Sequence, residues 1–274
     1  MGKKVIIIGA GIAGISAAME LVENGYEVNL FETSSRAGGR MFSLLDNKSK
    51  DEIDNGQHLF IGAYKHFFNI LKKLDTFKFI ANQKSLKVDF FDIHNGKSTL
   101  NTGILPSFLG LILGLALLKN ISLKSKYKTV QFLRKLKVGN LKYNGLTAYE
   151  LLISEEQEID IIEKFWKPFV VATMNISINY ADAETFLNIL KITLLGKKSN
   201  SKLLFSKVGL SILVKPFQEW LNKNKGQIFF GNRIEKINFE DDKVVSVKWH
   251  PFLPLLLSTS ADKTARLWYP YLKA

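Results

Sequence analysis

The sequence has 274 residues, 46% hydrophobic and 23% charged, with no cysteine and a formal net charge of +13. That length suits one large or two ordinary domains with a sizeable core, and the composition excludes a disordered chain. The absence of cysteine excludes disulfides, Cys-ligated zinc and thiol nucleophiles, and fits a reducing compartment. The charge is almost all lysine, with arginine only at 36, 40, 134, 233 and 266. Lysine lacks the planar fork that reads phosphates and bases, and no recognition helix or aromatic platform accompanies it, so nucleic acid is not an expected partner. No metal site is expected. An apolar strand begins almost at the first methionine, so no cleavable signal peptide is expected and the cytoplasm is the expected location.

Lys3 to Ile8 reads as a short apolar strand of the parallel-sheet kind. It runs into Gly9–Ala10–Gly11–Ile12–Ala13–Gly14, and Ile15 to Leu21 continues as a helix that Gly25 closes. Glu27 to Phe31 alternates as a second strand ending at Glu32. Gly9 allows a tight turn, Gly11 lets the backbone approach a pyrophosphate, and Gly14 lets the helix pack close to the sheet. The helix N-terminus offers free N–H groups, at Ile12 and Ala13 among others, and a positive dipole end to phosphate. Glu32 is placed to accept hydrogen bonds from an adenosine ribose. Strand, loop, helix, strand and acid in this order predict a Rossmann-type dinucleotide-binding unit.

Arg36–Ala37–Gly38–Gly39–Arg40 follows within one short loop. Two adjacent glycines between arginines make a second close-approach point with fixed positive charge, suited to a pyrophosphate lying across the first loop. An acid followed by RxGGR resembles the large family that includes amine oxidases, protoporphyrinogen oxidase and carotenoid desaturases. That resemblance implies FAD as cofactor, with Gly38, Gly39 and Arg40 at its phosphates. The segment Asp54–Asn55–Gly56–Gln57–His58–Leu59–Phe60–Ile61–Gly62–Ala63–Tyr64 is similar to the squalene-associated FAD-dependent desaturases, the hydroxysqualene dehydroxylases. Plant-type phytoene and zeta-carotene desaturases resemble it too. The resemblance implies that Asp54, Gly56, Gln57 and His58 lie near the flavin, Asp54 anchoring the turn and Gly56 permitting close approach. His58 reads either as a proton carrier or as a structural histidine oriented by the turn, and the second is favoured.

From Ile93 to Tyr149 there is no Asp or Glu. Ile104 to Leu118 is almost wholly apolar but interrupted by Pro106, too short for a comfortable membrane span. Lys119, Lys124, Lys126, Lys128, Arg134, Lys135, Lys137 and Lys142 follow it. Two readings stand together for 104–142: a surface lying on the anionic inner face of a membrane, or a core helix beside a solvated basic face. Phe165 to Asn175 resembles the family's substrate-domain helix, with its Pro168 and terminal asparagine. Leu204 to Ile237 resembles the return to the FAD domain, with Ile234 at the position whose backbone meets the adenine.

From Trp249 the character changes. His250–Pro251, the LLS-x-S-x-D of Leu256 to Asp262 and Arg266–Leu267–Trp268 resemble one WD40 repeat, and no second copy is present. A chance hydrophobic hairpin is the other reading. The family's late GD-containing segment is not among the 274 residues, so the expectation is a truncated or fused family protein that holds FAD poorly.

The predicted architecture is an α/β, Rossmann-like FAD-binding domain, a parallel sheet discontinuous in sequence (1–69 and 204–248). A mainly helical substrate domain is inserted at 70–203, and 249–274 forms a WD40-like tail. The resemblance implies a FAD-dependent oxidoreductase acting on an isoprenoid hydrocarbon, on the squalene and hopanoid route. Its reaction would be reductive dehydroxylation of hydroxysqualene to squalene by hydride from reduced flavin. The alternatives are a carotenoid desaturase or amine-oxidase-like enzyme, or a non-catalytic remnant that binds nucleotide or protein. No catalytic acid is assigned.

Overall fold

The computed structural model describes residues 4–56, 58–92, 96–105 and 107–235, and in the tail 246–249, 256–259 and 265–268. The chain begins with β1 (Lys4–Ile8), helix α1 (Ile12–Glu23) and β2 (Glu27–Phe31). β1 and β2 pair in parallel from Lys4 opposite Glu27 to Ile8 opposite Phe31. Parallel neighbours need a crossover, and α1 supplies it, burying Ile15, Ala18 and Met19 at helical spacing. The helix ends at Asn24, whose N–H reaches the Glu20 and Leu21 carbonyls, and Gly25 follows with φ +83°. Ile7 is buried on the side of β1 that faces α1, whereas Ile6 and Ile8 are exposed on the other.

A hairpin of β3 (Ser43–Leu45) and β4 (Glu52–Asp54) follows, with Ser43 opposite Asp54. Next come β5 (Leu59–Ile61), α2 (Lys65–Lys73) and β6 (Ile80–Asn82). α2 buries Phe68, Ile70 and Leu71. The antiparallel pair β7 (Lys87–Asp92) and β8 (Gly96–Asn101) leads into a run of helices. These are α3 (Ser107–Leu117), α4 (Leu123–Val138), α5 (Ala148–Ser154), α6 (Ile159–Ile161), α7 (Lys167–Met174) and α8 (Ala183–Thr193). A π-helical turn, Ile162–Trp166, joins α6 to α7. It carries Trp166 into the core, edge-on to Phe132 and Phe186 with ring centroids 5.7 and 5.8 Å away. Gln157 is buried beneath it and accepts from Trp166 Nε1 at 3.3 Å and Thr129 Oγ1 at 2.9 Å. α7 ends at Asn175 in the left-handed conformation, φ 53°.

β9 (Leu203–Ser206) then pairs antiparallel with β5, in a sheet of order β5-β9-β6. The chain returns through α9 (Leu210–Val214) and α10 (Phe217–Lys223) to β10 (Gly226–Phe229). β10 lies parallel to β2, on the side away from β1. The first sheet is therefore parallel and discontinuous in sequence, with Val28 and Leu30 of its central strand fully buried. Strands β11 (Ser246–Trp249), β12 (Leu256–Thr259) and β13 (Ala265–Trp268) form an antiparallel sheet. His250, Pro251 and Ser260 to Asp262 of the WD40-like pattern lie outside the described residues.

Two units are distinguishable. One comprises Met1–His58, His66–Ile80 and Ser206–Ala274, and the other Leu59–Lys65 and Ala81–Phe205. The first holds the parallel sheet. The second is mainly helical, with Leu133, Leu151, Trp166, Phe186 and Leu190 at its core. Among the described residues no helix is long and apolar enough to cross a membrane.

Candidate functional site: a glycine-lined cradle beside Glu32

Gly9 leaves β1 with φ +96°, and its N–H donates to the Phe31 carbonyl at 2.7 Å, tying the loop to the end of β2. Gly11 takes the N-cap position of α1 at φ −67°, ψ 174°, with no side chain capping the helix. A Cβ built on Gly11 meets nothing within 4 Å, so the space above this helix end is open. Gly14 is the opposite case: its Cβ would stand 1.9 Å from the Gly9 carbonyl oxygen. Any side chain there would drive α1 off β1. Ile12 and Ala13 lie between these glycines in the first turn of α1, where backbone N–H groups have no intrahelical acceptor.

Glu32 turns back onto the same loop. Its Oε2 accepts from the Ala10 N–H at 2.7 Å, and its Oε1 accepts from the Ser34 N–H and hydroxyl, both at 2.8 Å. Partial burial pushes its pKa up, but the Ser34 and Ala10 N–H groups, the Ser34 hydroxyl and the Thr33 N–H together outweigh this. The net pKa lies below the ordinary glutamate value. A carboxylate has about four acceptor positions, so three donors leave about one for an incoming hydroxyl. Ala10, fully buried, thus orients the acid with its N–H and holds the second loop with its carbonyl.

That second loop closes over the first. The Gly38 N–H donates to the Ala10 carbonyl at 2.7 Å, and Gly11 and Gly38 form an isolated parallel bridge. A Cβ on Gly39 would approach the Gly11 Cα to 3.1 Å, and one on Gly38 would come within 2.6 Å of the Met41 carbonyl oxygen. The paired glycines therefore serve loop-on-loop packing, a task not apparent from the motif. Arg36 is drawn over the Phe42 ring, 4.0 Å from its centroid. The Arg40 side chain is exposed.

The hairpin is fastened to the same assembly. Asp54 Oδ1 accepts from Ser43 Oγ at 2.6 Å and from the Leu210 N–H at 2.8 Å, at the start of α9. Ser43 and Ser211 are also cross-bonded: the Ser43 N–H donates to Ser211 Oγ, and the Ser211 N–H to Ser43 Oγ. Val214, at the far end of α9, packs against the Gly38 position. Asp54 thus holds α9, and α9 supports the glycine loop. Gly56 has φ 151°, with open space where its side chain would be. His58 Nδ1 is 2.7 Å from the Gly56 carbonyl oxygen, the turn-oriented arrangement. Gln57 lies outside the described residues.

Beyond β10, the Asn232 N–H donates to the Glu32 carbonyl at 3.0 Å and the Gly231 N–H to that of Ser34 at 3.2 Å. Ile234, partly exposed, follows two residues later. The motifs did not disclose Ser34, Ser43, Ser211 or α9. Ser34, two residues past the acid, had a local signal, whereas Ser43 and Ser211 had none.

A parallel β-α-β unit with an open glycine at an uncapped helix end and an acid closing the second strand defines a dinucleotide-binding fold. The chain belongs to the flavin containing amine oxidoreductase family, whose family model matches residues 12–250. It is 28% identical to a hydroxysqualene dehydroxylase of Sinorhizobium fredii over 259 residues, covering 89% of this chain and 59% of that protein. It is 43% identical to a zeta-carotene desaturase of Solanum lycopersicum over 75 residues, covering 27% of this chain and 13% of that protein. The chain thus spans little more than half of the dehydroxylase. An oxidoreductase structure from Methanosarcina mazei superposes with a TM-score of 0.63 at 18% identity, over 96% of this chain and 56% of that one. Cyclohexylamine oxidase from Brevibacterium oxydans gives 0.57 at 14%, over 98% and 57%. These two likenesses concern the fold.

Proposed function

We propose that the chain is the nucleotide-holding part of a FAD-dependent oxidoreductase that reductively dehydroxylates hydroxysqualene to squalene. The observation that carries the reading is the span of the match. Likeness to the hydroxysqualene dehydroxylase extends over 89% of the chain, whereas likeness to the zeta-carotene desaturase covers 27%. A stretch of 75 residues is about the length of the dinucleotide motifs. The longer match also takes in the helical unit, which on this reading meets the substrate.

The residues present fit FAD. The open space at Gly11 and the uncapped start of α1 suit a pyrophosphate, with Gly9, Ile12, Ala13 and Gly14 shaping that loop. Glu32, held ionised by its donors, would take a ribose hydroxyl, and Arg40 would add fixed charge at the phosphates. Ile234 would meet the adenine by its backbone. Gly38 and Gly39 would hold the second loop against the first, and Ala10 would orient Glu32. Asp54, Gly56, Gln57 and His58 would line the approach to the ring. When bound, the flavin would supply the hydride that replaces the departing hydroxyl, which leaves with a proton as water. The protein's share is to fix the adenosine end and exclude water from the reacting carbon. Residues 1–69 and 204–248 would carry the cofactor, 70–203 the isoprenoid and 249–274 a separate appendage.

The test is direct. The purified chain is titrated with FAD and offered either hydroxysqualene with anaerobically reduced flavin or zeta-carotene with oxidised flavin and a quinone acceptor, and the products are identified by mass. Weak flavin binding is expected, with squalene as the product of whatever turnover occurs. Flavin binding with reaction of the carotenoid alone would replace this reading by the desaturase one, and absence of flavin binding would remove both.

A further inference from the structure

Helices α3 and α4 leave a surface that no described residue covers. Leu109, Leu113 and Leu117 recur every fourth residue on one side of α3, and Ile104 and Leu105 stand exposed just ahead of it. On α4 the spacing of Leu123, Tyr127, Arg134 and Val138 puts all four on one face. The six apolar side chains on the two helices are between 44% and 83% exposed. Each helix buries its other side: Leu111 and Leu115 of α3, and Phe132, Leu133 and Leu136 of α4, belong to the core.

The cations sort themselves around this surface. Lys126 Nζ donates to the Ala116 carbonyl at 2.8 Å, at the end of α3, and Lys137 Nζ sits 4.8 Å from the Phe108 ring centroid, near its start. Lys126 and Lys137 are eleven residues apart, three helical turns, so they mark one edge of α4 beside α3. Lys124, Lys128 and Lys135 lie on another side of α4, paired with Glu158, Glu156 and Glu155. Among the described ion pairs, none engages Lys119, Lys126, Arg134, Lys137 or Lys142. Of the eight cations from Lys119 to Lys142, those without a carboxylate partner among the described residues are thus the two on the α4 edge beside α3, Arg134 on the exposed face of α4, and Lys119 and Lys142 in the flanking loops.

We propose that this α3–α4 face docks on an anionic lipid leaflet, the leucines and Tyr127 entering the headgroup boundary and the unpaired cations meeting lipid phosphates. Charge complementarity selects this occupant: 93–149 contains no acid, and the acids that reach α4 from beyond it are engaged, Glu155, Glu156 and Glu158 by lysines and Asp160 by Ser122 and Ser125. Lysine stems can lie along the apolar surface while their heads reach phosphate. The eleven residues of α3 are about 16 Å long, so the helix lies in the interface and does not span it. This inference is independent of the flavin reading, because it concerns lipid partition alone.

The experiment is co-sedimentation of the full chain with vesicles of phosphatidylcholine alone, or of phosphatidylcholine mixed with phosphatidylglycerol. Partition should be at least ten-fold stronger on the mixed vesicles and fall steeply toward about 1 M salt, where screening acts within about 3 Å. The triple variant Arg134→Gln/Lys137→Gln/Lys142→Gln should weaken it about a hundred-fold, some five-fold per cation. Leu109→Glu/Leu113→Glu, at exposed positions that spare the core, should abolish it. Lys124→Gln/Lys128→Gln/Lys135→Gln removes the same number of cations from the acid-paired side and should have several-fold less effect. Equal losses from the two cation triples, or partition indifferent to the leucine variant, would overturn the assignment of the face. No partition on either vesicle would overturn it too, as would a lipid-free dimer broken by the leucine variant.

Discussion

Gly11 and Gly14 belong to one loop yet have separable tasks, and alanine at each position distinguishes them. A methyl on Gly14 would lie 1.9 Å from the Gly9 carbonyl oxygen. Helix and strand must therefore part by about 1.4 Å to restore an ordinary C···O separation of about 3.3 Å. Overpacking of this kind costs about 1–3 kcal/mol, and this contact belongs at the upper end because both partners are backbone. Alanine's better helix propensity returns about 1 kcal/mol. A net loss of about 2 kcal/mol lowers the Tm of a chain this size by about 4–8 °C. Gly11→Ala meets nothing within 4 Å, and φ −67°, ψ 174° is open to any L-residue. Its flavin-free Tm should stay within about 2 °C of the unsubstituted chain. FAD affinity should nonetheless fall at least ten-fold, because the methyl occupies the space at the start of α1. Calorimetry of the flavin-free variants, with FAD titration followed by quenching of flavin fluorescence, measures both quantities. A Gly11→Ala protein that melts as low as Gly14→Ala, or binds FAD normally, would refute the reasoning.

Further outcomes are expected elsewhere. Glu32→Gln replaces one acceptor by an amide that faces either the Ala10 or the Ser34 N–H, costing about 1 kcal/mol in this half-exposed setting. Because the folded-state pKa of Glu32 is depressed, its stabilisation is full above the ordinary carboxylate range and lost as pH falls through the depressed value. The melting difference between wild type and Glu32→Gln should hold near neutrality and close as pH falls through the depressed value; a gap that widens with acid would contradict this. Asp54→Ala strands the Leu210 N–H and the Ser43 hydroxyl and should cost about 1–3 kcal/mol in denaturant unfolding. A cost within error would mean α9 is held otherwise. Gln157→Leu leaves the Trp166 and Thr129 donors buried without their acceptor, and about 2–3 kcal/mol should be lost together with near-ultraviolet dichroism from the tryptophan. An unchanged Tm there would show that the buried polar contact is dispensable.

The dinucleotide unit was legible in the sequence because its information is local. Lys4 to Glu32 forms one β-α-β segment, and each glycine's task follows from steric demands within a few residues. The apolar, acid-free stretch was legible for the same reason, since charge and hydropathy are read along the chain, whereas the helix running to Asn175 was expected from family resemblance. Only the tertiary structure decided which distant pieces complete them. Resemblance placed Leu204 to Ile237 with the FAD domain, but the position that β10 takes there, beside β2 and away from β1, is visible only in the fold. Ser43 and Ser211 meet across 168 positions, and serine carries no pattern that announces a partner. The doubled glycine was legible as a motif, yet its packing against Gly11 follows from two loops closing on each other. The lysines divide likewise. Sequence shows eight cations between Lys119 and Lys142, but their distances to Glu155, Glu156 and Glu158 separate the paired from the unpaired. Hydrogen bonds and ion pairs are short-ranged in space and indifferent to separation along the chain, so these assignments wait for the fold.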